Sequence, residues 1–139
     1  MLRIAICDDN IPITSEIEHL LLLISNKHGI QIDIDIFFDG LSLYNKIQSG
    51  LIFDLIYIDI EMEKLDGIET AHLIRNLQLP TLLIYISAYQ TYFKQLFEVE
   101  PFRFISKPID KQLFNQYFYA AYKKLNKQKL FFTFNFNQT

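Results

Sequence analysis

Five short apolar runs alternate along the chain with five longer amphipathic ones, and this rhythm limits the possible folds more than any other feature. The apolar runs lie at 2–7, 31–37, 53–58, 81–86 and 102–105. Helical spacing of apolar residues marks 13–27, 41–48, 67–78, 89–98 and 110–125. Repeated strand–helix units call for a parallel sheet whose crossover helices cover both faces. A length of 139 residues suits one such domain, and 50% hydrophobic content is enough to build its core without disulfides or a structural metal. Disorder, collagen and coiled coil are excluded on the same composition.

Strand texture orders the sheet. The runs at 53–58 and 81–86 are almost continuously apolar, as central strands covered on both faces are. The run at 31–37 alternates polar and apolar residues, and 102–105 is mixed, so these two read as edges. The order 2-1-3-4-5 of a flavodoxin-like (βα)5 doubly wound sheet satisfies both readings. Ligands of such sheets bind beyond the carboxyl ends of the strands, where the order reverses between strands one and three. Helix starts are legible too. Asp66 and Glu69 have capping-box spacing, Asp39 and Asn10 precede helical patterns, and Asp110 stands before the last one.

Charge is unevenly distributed. The formal net charge is −3, yet residues 1–121 carry nine basic and sixteen acidic groups, a net of −7. Lys123, Lys124, Lys127 and Lys129 add four positive charges to a tail without acids. No global basic footprint for nucleic acid is present. Cys7 is the single cysteine, so no internal disulfide forms. No apolar stretch reaches the ~20 residues of a membrane span, and the amino-terminal run is too short for a signal-peptide core. The expected location is the cytoplasm, with no membrane partner.

The carboxyl ends of the expected strands gather a distinctive set. Strand one ends at Asp8-Asp9, strand three at Asp59, strand four at Ser87-Ala88 and strand five at Ser106-Lys107-Pro108. Three carboxylates on one rim need a compensating cation. Oxygen donors suit a hard ion such as Mg²⁺. An aspartate can act as a nucleophile and form an acyl phosphate. A lysine, a metal ion and a hydroxyl can then stabilise charge on the phosphoryl oxygens.

These residues carry a resemblance. The segments IAICDD at 4–9, YIDIEM at 57–62, LDGIETAHLIR at 65–75, YISAY at 85–89 and FRFISKPI at 102–109 resemble a response-regulator receiver domain. The likeness runs over about 2–125, and the domain is set at 1–125. It implies that Asp59 is the phosphoacceptor. Asp8, Asp9 and Asp59, with the backbone carbonyl of Glu61, would hold Mg²⁺ or Mn²⁺. Lys107 would contact the phosphoryl group with Ser87 and Ala88, and Phe104 would follow Ser87 inward as a switch. Glu61 and Tyr89 would tune access of water. Pro108 would take a cis bond. Expected partners are a sensor histidine kinase and the protein's own C-terminal output domain, with a receiver homodimer through helix four, strand five and helix five. Tyr92, Phe93, Leu96, Phe97, Phe102, Tyr117 and Tyr122 would supply that face. Enzymatic turnover is not expected beyond self-phosphorylation and self-dephosphorylation.

The wording of these motifs is similar to receivers that precede a LytTR-type DNA-binding domain. Phe132, Phe134 and Phe136 alternate with polar residues, the pattern of a half-buried strand. Residues 126–139 are therefore expected to be a linker and the first strand of a truncated domain of that type. DNA binding is expected of that domain and not of this fragment. Glu63 and Lys64 depart from the proline and small residue frequent in such receivers, Ser87 replaces the commoner threonine, and Asn10 replaces a frequent acid. The rival reading is a Mg²⁺-dependent phosphohydrolase of the haloacid-dehalogenase kind, which expects Asp-x-Asp-x-Thr after strand one. Here Asp59-Ile60-Glu61 follows strand three. Outside the rim, Asp33 and Asp35 read as guards of an edge strand. Cys7 reads as a small buried hydrophobe, and His19, His28 and His72 as surface groups.

Overall fold

The structure is a computed structural model describing residues 1–88 and 93–137, by backbone alone at 93–94 and 129–137. The elements follow in strict alternation: β1 (Leu2–Cys7), α1 (Ile11–His28), β2 (Ile32–Phe37), α2 (Gly40–Gln48), β3 (Leu55–Ile58), α3 (Gly67–Asn76), β4 (Leu82–Ser87), α4 (Phe93–Glu98), β5 (Arg103–Ser106) and α5 (Lys111–Asn137). All five strands pair in parallel in the order β2-β1-β3-β4-β5. Every residue of β3 and β4 is buried, whereas β2 and β5 are only partly covered. That gradient follows the apolar content of each run.

Successive side chains of a strand face opposite ways, so the sheet divides its apolar residues between two cores. On one face Ile6, Tyr57, Ile84 and Ile86 pack with Ile17 and Leu21 of α1 and Phe114 and Phe118 of α5. Tyr57 stacks on Phe114 at 5.1 Å between ring centroids. On the other face Cys7, Ile56, Ile58 and Tyr85 pack with Leu43 of α2, Ile74 of α3 and Leu96 of α4. The thiol of Cys7 is fully buried and contacts the Asp39 carbonyl. Burial, followed by the nearby carboxylates led by Asp39, pushes its pKa up, so it stays an inert thiol.

The expected caps are present. Asn10 Oδ1 accepts from Ile13 N at 3.1 Å, Asp39 Oδ1 from Ser42 N at 2.7 Å, and Asp110 Oδ1 from Leu113 N at 3.1 Å. Asp66 accepts from Ile68 N and Glu69 N, while Glu69 accepts from Asp66 N in return. The Lys107–Pro108 bond is cis.

One expectation fails. The strand expected within 126–139 is absent among the described residues, because α5 continues as a helix to Asn137. A strand there would leave its backbone groups without a ladder partner, whereas a helix satisfies its own N–H and C=O groups residue by residue.

Candidate functional site

The ladders that join β1 to β3 and to β2 each run one residue past the strands and fix the roots of two aspartates. Asp59 N donates to Cys7 O at 3.0 Å, and Asp8 N donates to Phe37 O at 3.0 Å. Both side chains are buried, at 2% exposure for Asp8 and 6% for Asp59. Asp8 Oδ1 accepts from Asn10 N at 2.9 Å, and Asp59 Oδ1 accepts from Ile60 N at 2.8 Å. On the far side, β5 delivers Lys107, whose N–H donates to Ser87 O at 3.0 Å. Its Nζ lies 2.9 Å from Asp8 Oδ2 and 3.3 Å from Asp59 Oδ2. Asp9 is exposed at the mouth, and one oxygen from each of Asp8, Asp9 and Asp59 falls within 4.8 Å of the others.

One lysine facing three carboxylates leaves two negative charges in excess. The ionisation equilibria show the strain. Burial, reinforced by the charge of Asp59, raises the pKa of Asp8, and the Asn10 amide and Lys107 only partly oppose this. Lys107 is itself held above the ordinary lysine range, because Asp8 and Asp59 outweigh the penalty of its burial. The two shifts point the same way because a single ammonium is shared between two acids. Asp8 Oδ2 has no aligned hydrogen-bond donor among the described residues, although Lys107 is close. A divalent cation fits this set: the donors are all oxygen, the uncompensated charge is −2, and Asp9 leaves one side accessible to water.

The loop from Asp59 to α3 turns back sharply. Gly67 N donates to Ile60 O at 2.7 Å, and a Cβ on Gly67 would collide with the Asp59 carbonyl. Only glycine permits that approach. Lys64 and Leu65 adopt positive φ of 51° and 73°, and Leu41 N donates to Lys64 O at 2.9 Å.

Residues 4–118 match the family described as the response regulator receiver domain. The chain belongs to that family. It is the receiver domain of a two-component response regulator. It is 26% identical over 129 residues to the sensory transduction protein LytT of Bacillus subtilis, covering 91% of this chain and 50% of that protein. The LytT of Bacillus anthracis is 28% identical over 129 residues, covering 93% and 49%. These likenesses support the LytTR-type branch. The receiver spans about half the length of the curated relatives it matches. The crystal structure of the response regulatory domain of MrkE from Klebsiella pneumoniae superposes with a TM-score of 0.81 at 24% identity, over 91% of this chain and 99% of that one, and shares the fold. The phosphohydrolase alternative finds no support in these matches.

The expected site residues fall as follows. Asp8, Asp9, Asp59 and Lys107 converge. Ser87 is fully buried at the end of β4, with Ala88 exposed just beyond it. Phe104 is half-buried on β5, in register with Tyr85. Glu61 lies two residues past Asp59 on the exposed loop. Tyr89 and Tyr92 lie outside the described residues, as does the side chain of Phe93. Sequence reasoning missed the close approach of Gly67 to Asp59 and the role of Tyr85, which donates to Gly67 O at 2.8 Å. The first was visible only as an Asp-Gly helix start, and the second was hidden in an apolar run.

Proposed function

We propose that this receiver takes a phosphoryl group from a histidine kinase onto Asp59. A carboxylate oxygen of Asp59 attacks phosphorus, the phosphorus–nitrogen bond of the phosphohistidine breaks, and the imidazole nitrogen regains a proton from water. The single observation that carries this reading is Lys107 Nζ held 2.9 Å from Asp8 and 3.3 Å from Asp59 on a rim with surplus negative charge. Asp8, Asp9, Asp59 and the Glu61 carbonyl would hold Mg²⁺ or Mn²⁺, which when bound neutralises charge on the phosphoryl oxygens. Lys107 pairs with those oxygens. Ser87 and the Ala88 backbone complete the phosphoryl contacts, and Phe104 moves with Ser87. Glu61 and Tyr89 set access of water to the acyl phosphate, so the only turnover is self-dephosphorylation.

The output is a LytTR-type DNA-binding domain, with the part of α5 beyond Leu125 as the linker to it. This reading is supported by the LytT relatives, each about twice as long as the stretch matched. No helix among the described residues is long and apolar enough to cross a membrane, in keeping with phosphotransfer in the cytoplasm. The proposed dimer face carries Phe97, 80% exposed, beside half-buried Phe102 and Tyr117.

Incubation with acetyl phosphate and Mg²⁺ tests the acceptor. The wild type should take up one labile phosphate, lost on chelation and absent from Asp59→Asn. Labelling that persists in Asp59→Asn overturns the assignment.

A further inference from the structure

The segment 59–67 carries both the acceptor and Glu61, and its return end is pinned at Gly67 from two sides. The N–H of Gly67 bonds back into the segment at Ile60 O, 2.7 Å away. Its carbonyl accepts from the Tyr85 hydroxyl at 2.8 Å. Because Gly67 lacks a Cβ, its backbone lies directly against the Asp59 peptide. A displacement at Gly67 therefore moves the backbone from which Asp59 and Glu61 project. Tyr85 is fully buried on β4, next to β3 in the sheet and paired in register with Ile58. The ring is thus anchored in the core, and its hydroxyl acts on a segment whose middle residues, Glu61 and Glu63, are exposed. Capping by Asp66 fixes the start of α3 internally. The hydrogen bond from Tyr85 ties that start to the central sheet.

We propose that the Tyr85 hydroxyl is a positioning group that sets the placement of the acceptor loop, and through it the affinity of the acidic site for its divalent cation. The proposal rests on the Asp8–Asp9–Asp59 site reading given above. A partner that orients a ligand without touching the metal commonly contributes a factor of ten or more in affinity. Loss of one buried hydroxyl at this pivot belongs at the low end of that range.

The test is Tyr85→Phe in the full chain, with Mg²⁺ alone titrated calorimetrically and no phosphodonor present. Affinity should fall about tenfold. Labelling by acetyl phosphate should slow by a similar factor at subsaturating Mg²⁺ and recover at saturation. Tyr57→Phe is the control. It removes a hydroxyl buried to the same depth on the neighbouring strand, one with no hydrogen-bond partner among the described residues. That variant should bind Mg²⁺ like the wild type. A merely structural Tyr85 would lower the unfolding temperature and leave Mg²⁺ affinity unchanged in the folded protein, and that result overturns the proposal. Wild-type protein that binds no Mg²⁺ overturns it as well. If Tyr85→Phe weakens Mg²⁺ while Asp59→Asn still accepts phosphate, the positioning role stands and the acceptor assignment alone falls. Should Tyr85→Phe not fold, Tyr85→Met, which keeps most of the volume, serves in the same titration.

Discussion

Each rim of the sheet holds a partly buried cation beneath its loops, Arg75 at one and Lys107 at the other, and the two are satisfied in opposite ways. At the amino-end rim, Arg75 leaves the last turn of α3 and donates to backbone carbonyls alone. Nε reaches Val99 O at 2.8 Å, Nη1 reaches Thr81 O at 2.7 Å, and Nη2 reaches Glu100 O at 3.1 Å. These hydrogen-bond partners are neutral carbonyls, and burial, only partly opposed by the charge of Glu100, draws the guanidinium's pKa down. At the carboxyl-end rim, Lys107 meets two carboxylates and its pKa is drawn up. Carbonyl dipoles solvate a cation and leave nothing over, so the Arg75 bracket is finished. Carboxylates over-answer theirs and leave the rim short of positive charge. Two half-buried cations on one sheet thus serve different ends, and the chemistry of their partners tells which is which.

Substitution separates the two rims. Lys107→Ala should have the largest effect, slowing phosphorylation by acetyl phosphate about a hundredfold, as loss of one preorganised charge donor does. The same variant should bind Mg²⁺ at least as tightly as the wild type, because the rim then carries a full excess of three negative charges. Arg75→Ala should do the reverse. It strands several buried carbonyls and should cost ~2–3 kcal/mol in denaturant unfolding, with Mg²⁺ affinity unchanged in the folded protein. A loss of Mg²⁺ affinity in Arg75→Ala would erase the distinction.

The smallest effect concerns pH. The pKa of Asp8 is raised in the fold, so its contribution to stability is fully present below the pKa of an unfolded aspartate. That contribution is lost as pH rises through the folded value. Asp8→Asn should therefore raise the unfolding temperature in chelator at neutral pH by a few degrees and flatten its acid dependence. It should also weaken the added stability that Mg²⁺ confers on the wild type by binding the native state. Scanning calorimetry with and without Mg²⁺ reads all three.

Features governed by neighbours in sequence were legible before any coordinates. The four caps at Asn10, Asp39, Asp66 and Asp110 depend on atoms two or three residues away. The strand order followed from how apolar each run is, because burial of β3 and β4 requires it. The rim set was legible because topology alone brings strand ends together. Contacts between residues distant in sequence were not. Tyr85 reaches Gly67 across eighteen positions, and Arg75 reaches Val99 across twenty-four. Neither a tyrosine in an apolar run nor an arginine in a last helical turn announces such a partner. Asp8 and Asp9 looked equivalent as letters, yet one is buried and the other exposed. The tail misled because its alternating phenylalanines satisfy a period of two, while its backbone continues the helix before it.

That continuation has a mechanical side. Among the described side chains of α5 the last in the core is Leu125, and the helix runs on to Asn137. At ~1.5 Å per residue, the extra turns carry its axis about 18 Å further along. The root of this rod, at Lys111, stands four positions after Lys107. A rod pivoting near its root works as a lever: a tilt of a few degrees sweeps the far end through ångströms.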